Sequence, residues 1–274
     1  MFKNISELDE EVNKLKQDPN FPFPKILHQV WMNDDPNIPE KWKKGPEEWK
    51  KYHSDWFYIL WNRELSDDLV KNYEPEFYPF YTKFKYEIQR IDSVRYCFLK
   101  RYGGVYCDLD NYPNKNIEEF FINTNCEAYF NPSSDVPWIY NNNLMMGNPR
   151  RPIWNILIEN CKRKNPFWRA GKYLQVMGTT GPIMLTKAII DYNGILCRLP
   201  RVRFNTQKVK QIGTNFGLTK DAVILNLKGG SWCEADANFL ELLYRNVTSI
   251  VLLIILLFLI FIIICSNTFS NCRR

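Results

Sequence analysis

Residues 86–113 read YEIQRIDSVRYCFLKRYGGVYCDLDNYP, and the fold turns on how this run divides. Ile88, Ile91, Val94, Cys97 and Phe98 recur at helical spacing, and Gly103 follows them as a residue that closes a helix. VYCDL then reads as a strand. Asp108 and Asp110 therefore fall where a strand runs out into a loop.

The same alternation continues on both sides. PKILHQVWM (24–32) and DWFYILWN (55–62) are strand candidates upstream, and EAYFNP, NNLMMGNP and AVILNL are strand candidates downstream. PIWNILIENCKRK and TTGPIMLTKAIIDY enter with proline near a first turn, as helices do. Helices alternating with strands predict an α/β fold with a mainly parallel sheet. In such sheets ligands bind beyond the carboxyl ends of the strands, where this reading puts Trp31, Asp108 and Asp110.

Composition removes several classes of function. The 274 residues carry 36 Lys and Arg against 30 Asp and Glu, a net charge of +6 with no dense basic block, so nucleic acid is not an expected partner. His28 and His53 are the only histidines, and the eight cysteines form no CxxC, which leaves no zinc-site spacing. The cysteines are expected to be free thiols, in keeping with a cytosolic head.

Val247 to Cys265 carries no charge and is almost wholly Ile, Leu, Val and Phe. About 20 such residues span a bilayer, so a transmembrane helix is expected over 247–265. The start, MFKNISELDEEVNKLKQD, has no apolar core of a signal peptide. The expected layout is a polar helical extension (1–21), a catalytic-sized domain (22–243), the span, and a short tail (266–274). This form is tail-anchored with the head in the cytosol, although Arg273 and Arg274 pull the other way. The NVT at Asn246 is read as a chance match to a glycosylation sequon.

Along a strand alternate side chains share a face, so Asp108 and Asp110 are expected to point the same way. Two such carboxylates suit Mg²⁺ or Mn²⁺, which take oxygen ligands and bind substrate phosphates alongside one or two acids. DxD alone is common by chance, and some phosphatases use it as a nucleophile. Those carry the motif early, after a first apolar strand, and not past residue 100. Asp92 and Arg95 stand three apart on one helix face. They are either a surface ion pair or the helix's contribution to the same site.

FPKILHQVW, IDSVRYCFLKRYGGVYCDLDNYP, NNLMMGNPRRP, VMGTTGPIMLT and GGSWCEAD occur in this order. Together they resemble the DxD sugar transferases of glycosyltransferase family 32, over about residues 22 to 240. The likeness is to fungal inositol-phosphoceramide mannosyltransferases and the initiating α-1,6-mannosyltransferase, with clostridial toxin domains more distant. The resemblance implies a GT-A-like fold, a GDP- or UDP-hexose donor, Mn²⁺ or Mg²⁺, and retention of anomeric configuration. It implies that Trp31 stacks on the nucleotide base, where the alternative is one more core tryptophan. Asp92 and Arg95 would bind the donor, Asp108 and Asp110 the metal and ribose, and Gly104 the cofactor side. Ser231 and Trp232 would close over the diphosphate. Asn142 and Asn143 would lie on the acceptor side, or serve only as turn residues.

Departures from the pattern gather on that acceptor side. Sphingolipid-type relatives carry an aspartate where this chain has Asn143, and histidines where it has Asn226, Cys233, Arg150 and Arg151. The implied activity is a membrane-anchored, metal-dependent retaining transfer of a mannose- or glucose-class hexose to a lipid, sphingolipid-like or glycan acceptor. The alternative is a weak or inactive sugar-nucleotide-binding membrane protein on the same scaffold.

Overall fold

The computed structural model describes the chain except residues 1, 34–36, 122–124, 134, 135, 137, 164–170, 205–220, 228–233, 248–250, 252–254, 256 and 259–274. It divides into two compact units, residues 1–230 and 231–274.

The first unit is built on a six-stranded sheet. β1 (Ile26–Val30) lies between β2 (Phe57–Trp61) and β3 (Gly104–Cys107), and all three are parallel. β4 (Asn111–Pro113) leaves this sheet. β5 (Ala128–Pro132), β6 (Tyr140–Gly147) and β7 (Leu196–Arg198) complete it in the order β2-β1-β3-β6-β5-β7. Only β6 runs against its neighbours, so the expected mainly parallel α/β sheet is present. β8 (Ile224–Asn226) pairs antiparallel with β4 in a separate two-stranded ribbon, Asn111 opposite Asn226.

Both faces of the sheet are covered, which is why β1, β3 and β5 are buried at every position. One face packs Ile26, Tyr106, Phe130 and Met145 against helices; the other packs Leu27, Val105, Tyr129 and Met146 around Trp49 and Trp56. Helices α1 (Ile5–Asn13), α2 (Glu40–Tyr52), α3 (Arg63–Tyr73), α4 (Tyr78–Tyr81) and α5 (Glu87–Tyr102) precede β3. α6 (Pro152–Cys161), α7 (Lys172–Thr179), α8 (Pro182–Ile190) and α9 (Arg201–Phe204) follow β6. The polar N-terminal stretch docks through α1: Ile5 and Leu8 enter the core, and Asp9 accepts hydrogen bonds from Tyr102 and Arg101.

Neither histidine is near the surface. His28 accepts from Trp61 Nε1 at Nδ1 (3.1 Å) and gives its Nε2–H to the Gly103 carbonyl (2.8 Å), a fixed neutral tautomer. His53 accepts the Ile117 N–H at Nε2 (3.0 Å). Burial pushes the two imidazoles down to about 3 and about 4.

The expectation of free thiols fails at one pair. Cys126, just before β5, is bonded to Cys197 in β7, with 5.8 Å between their Cα atoms. The reason lies in topology: β5 and β7 are adjacent parallel strands, a pairing across 71 residues that cysteine spacing does not reveal. Cys97, Cys107 and Cys161 are free and buried, as expected of small core residues.

In the second unit α10 spans Ala235–Arg245. Most of the uncharged 247–265 segment lies outside the described residues. Among the described residues no helix is long and apolar enough to cross a membrane. Val247, Val251, Ile255, Leu257 and Phe258 are all exposed.

Candidate active site

α5 is amphipathic in an unusual sense, since nearly all of its second half is buried and the buried set includes charge. Asp92 and Arg95 are each only 4% exposed. Gly103 ends the helix with a positive φ of 67°, and Gly104 follows at 88°. A Cβ on Gly104 would lie 2.3 Å from the Ile26 carbonyl oxygen. The two glycines thus let the chain reverse tightly and lay β3 against β1.

That packing carries Trp31 and Asp108 to the same edge of the sheet, each just past the carboxyl end of its strand. Trp31 gives its N–H to the Trp61 carbonyl (2.8 Å) and meets Trp42 edge-to-face at 6.0 Å. Its ring is half-buried.

β3 stops at Cys107, one residue before the aspartates. Asp108 to Asn111 form a turn closed by the Asn111 N–H on the Asp108 carbonyl (2.9 Å), with Leu109 buried beneath it. The strand alternation expected to align Asp108 and Asp110 does not apply, because the turn's own hydrogen bond sets their directions. Asn143 in β6 pins the turn: its carbonyl accepts both the Asp108 N–H (2.9 Å) and Asn111 Nδ2 (3.0 Å).

Arg95 joins the helix to the turn. Its guanidinium reaches Asp92 Oδ1 at 3.2 Å, Asp108 Oδ1 at 3.3 Å and the Asn142 carbonyl at 3.0 Å. It also lies over the Tyr106 ring, 4.7 Å from the centroid, while Tyr106 gives its hydroxyl proton to Asp108 Oδ1. Thr180, just after α7, donates to Asp92 Oδ2 at 3.2 Å. Burial raises Asp92 to about 6; Arg95 pulls it down and Asp108 pushes it up. Asp108 is likewise raised by burial and lowered by Arg95 and the Tyr106 hydroxyl, and the two carboxylates hold the Arg95 proton more firmly. So the expected Asp92–Arg95 pair is a buried device and not a surface ion pair.

Asn142 and Asn143 come to the site by a bulge. The β5–β6 register jumps from Phe130↔Met145 to Asn131↔Asn141, leaving residues 142–144 out of step with β5 and bent toward the end of β3. Asn226 also arrives, through Nδ2 on Asn111 Oδ1 (2.7 Å). Gly104 does not join this group. It starts β3, at the opposite end from Asp108, and its role is the approach to Ile26. Arg150 and Arg151 are at that far end too, beyond Gly147, which pairs with Gly104. Ser231, Trp232 and Cys233 lie outside the described residues.

Tyr106 and Thr180 complete the cluster without any warning from spacing. Tyr106 reads as a core aromatic in a strand, and Thr180 as part of a helix entry; only the packing of α5 against β3 and α7 makes them site residues.

A divalent ion has suitable donors here. Both side-chain contacts of Asp108 fall on Oδ1, and its side chain is 31% exposed. Among the described residues no three His, Cys, Asp or Glu gather into a fuller set. Two carboxylates fit a cation that fills its shell with water and phosphate oxygens.

The sequence that carries this arrangement is similar to that of known proteins. Residues 39–127, which hold Asp92, Arg95 and both aspartates of the turn, match the glycosyltransferase sugar-binding region containing a DXD motif. That stretch of the chain is thus similar to the DXD glycosyltransferases. Over 230 residues it is 30% identical to mannosyl phosphorylinositol ceramide synthase CSH1 of Saccharomyces cerevisiae, covering 84% of this chain and 58% of that protein. It is 28% identical over 255 residues to inositol phosphoceramide mannosyltransferase 1 of Schizosaccharomyces pombe, covering 92% of this chain and 75% of that one. The chain therefore spans less than two thirds of the yeast synthase. Among solved structures it is similar to the PaToxG glycosyltransferase, with 18% identity, a TM-score of 0.48, and coverage of 68% of this chain and 75% of that one.

Proposed function

We propose that this chain is a GT-A-like hexosyltransferase that moves a mannose- or glucose-class sugar from a nucleotide sugar to a lipid acceptor of the phosphorylinositol ceramide kind. One observation carries the reading: the buried Asp92–Arg95 pair joined to the half-buried Asp108 at the carboxyl end of β3, inside the matched region. Buried charge is costly to retain for stability alone, which supports a role in binding charged substrate.

In this reading Asp108 and Asp110 hold Mn²⁺ or Mg²⁺, which when bound offsets the charge of the diphosphate leaving group. The chain's own residues do the rest. Arg95 and Tyr106 fix the Asp108 rotamer, Thr180 and Arg95 fix Asp92 for the donor's hydroxyls, and Trp31 offers a ring face to the base. Asn142 and Asn143 border the acceptor.

The uncharged 247–265 segment supports membrane association, as do the lipid substrates named for the relatives. The Cys126–Cys197 bridge favours a head on the oxidising side of that membrane, opposite to the cytosolic placement expected from free thiols. Arg273 and Arg274 beyond the span agree with this orientation.

The test is transfer by the full chain in detergent or membranes, with GDP-mannose or UDP-glucose as donor, phosphorylinositol ceramide as acceptor, and Mn²⁺ or Mg²⁺. Metal-dependent product that disappears in Asp110→Ala is the expected result. Donor binding without turnover for any acceptor tried would favour the inactive scaffold instead.

A further inference from the structure

Asn131 sits at the register jump of β5, 1% exposed, and its Nδ2 donates to Asn143 Oδ1 at 3.3 Å. Its own Oδ1 is buried with no hydrogen-bond partner among the described residues. A buried, unsatisfied acceptor costs free energy, and an apolar side chain would fill the same space without that cost. The residue is therefore poorly explained by stability alone.

Its neighbour explains it better. Asn143 is the node where three pieces of chain meet. Its carbonyl holds the aspartate turn through the Asp108 N–H and through Asn111 Nδ2, and Asn111 in turn accepts from Asn226. Its side-chain oxygen is taken by Asn131. With both oxygens of Asn143 engaged, the hydrogen-bonding group left on this half-buried side chain is Nδ2, a donor beside the turn.

We infer that Asn131 is a positioning residue that holds the Asn143 carboxamide with Nδ2 outward, so that position 143 meets the substrate as a hydrogen-bond donor. The group opposite is an oxygen acceptor, whether a hydroxyl oxygen of the donor sugar or a phosphate or hydroxyl oxygen of the acceptor. This rests on the transferase reading above and adds a specificity to its site.

Asn131→Asp is the decisive variant, because it keeps the shape and reverses the polarity. At a pH where the new carboxyl is ionised, residue 131 can only accept, so Asn143 must turn Nδ2 toward it and present Oδ1 outward. In the full chain, KM for GDP-mannose and for phosphorylinositol ceramide would be measured separately, with kcat and thermal unfolding. One of the two KM values should rise about tenfold, the worth of one hydrogen bond, with kcat changing less. Unfolding should drop by several degrees, because the new carboxyl is buried, so the KM and not the melting temperature reads the inference. The substrate whose KM moves is the one that faces Asn143. Asn143→Asp, which also turns an acceptor outward, should raise the same KM, and Asn131→Gln should not rescue it. Unchanged KM values in Asn131→Asp overturn the inference, as does a large loss of stability without a KM change.

A second arm needs no turnover. With ¹⁵N-asparagine labelling, the Asn143 side-chain amide signal, identified by its loss in Asn143→Asp, should shift downfield in Asn131→Asp as it becomes a donor to a carboxylate. No shift overturns the Asn131–Asn143 link. Wild-type chain that turns over neither GDP-mannose nor UDP-glucose speaks against the transferase reading, while the amide signal still decides the link.

Discussion

Arg95 Nη2 lies 3.3 Å from Asp108 Oδ1 across the gap between α5 and the aspartate turn, and so links the half-buried Asp108 to the buried end of the helix. The same guanidinium serves Asp92 and the Asn142 carbonyl, so three elements depend on one planar fork. A lysine is a point charge and cannot span those partners. Arg95→Lys should lower kcat/KM about a hundredfold through misplacement of Asp108. Arg95→Met should in addition cost about 3–5 kcal/mol of stability, because it strands the buried Asp92 carboxylate. Transfer assays and urea unfolding read the two effects; wild-type kcat/KM in Arg95→Lys would remove Arg95 from the site.

The two histidines predict how stability depends on pH. Both are held neutral, with folded-state values near 3 and near 4, below the ordinary 6.5. As pH falls the unfolded chain takes up these protons first, so stability is full above about 6.5 and drains between there and about 4. At pH 5 the loss should be about 2 kcal/mol for each histidine relative to pH 7.5. Denaturant midpoints at the two pH values measure it, Asp92 offsets part of the total because its raised value works in the opposite sense, and His53→Gln should remove its own share of about 2 kcal/mol. An unchanged slope in that variant would mean His53 is already protonated or exposed.

Much of this fold was legible because its signals are local. The strands at 26–30, 57–61 and 104–107 and the helix at 87–102 follow from apolar runs, periodicity and Gly103. Asp92, Arg95, Asp108 and Asp110 follow from the same stretch, and the structure brings three of them into direct contact. What escaped was set by distant partners. The turn at Asp108 depends on a carbonyl 35 residues later, at Asn143. The bulge that delivers Asn142 and Asn143 exists only in the pairing of β5 with β6. Thr180 meets Asp92 across 88 residues. α2 carries Pro46 and eight charged residues in its EKWKKGPEEWKKY, so only the burial of Trp42 and Trp49 on its inner side reveals it as a packed helix.

The bridge between Cys126 and Cys197 ties the edge strand β7 to the chain entering β5. It closes a loop of 71 residues in the unfolded chain. Cys126→Ser should cost about 2–4 kcal/mol. Protein purified from membranes and alkylated without reductant should show one disulfide among these cysteines by peptide mapping. Full alkylation of both Cys126 and Cys197 in the native preparation would return the head to a reducing compartment.

Gly104 separates a packing role from a binding role. It was expected on the cofactor side, yet it starts β3 at the end away from Asp108 and holds a φ of 88° with its Cα pressed toward Ile26. In Gly104→Ala the new methyl would meet the Ile26 carbonyl oxygen at 2.3 Å, and both groups belong to backbone paired in the centre of the sheet. Relief requires β1 and β3 to separate, and the residue must also keep a conformation that L side chains rarely adopt. The cost should be on the order of 3 kcal/mol or more. If the glycine instead served the nucleotide sugar, the alanine variant would unfold at the wild-type temperature and show a raised KM for GDP-mannose. The expected outcome is the reverse: a lower melting temperature, and a KM for whatever fraction stays folded that matches wild type.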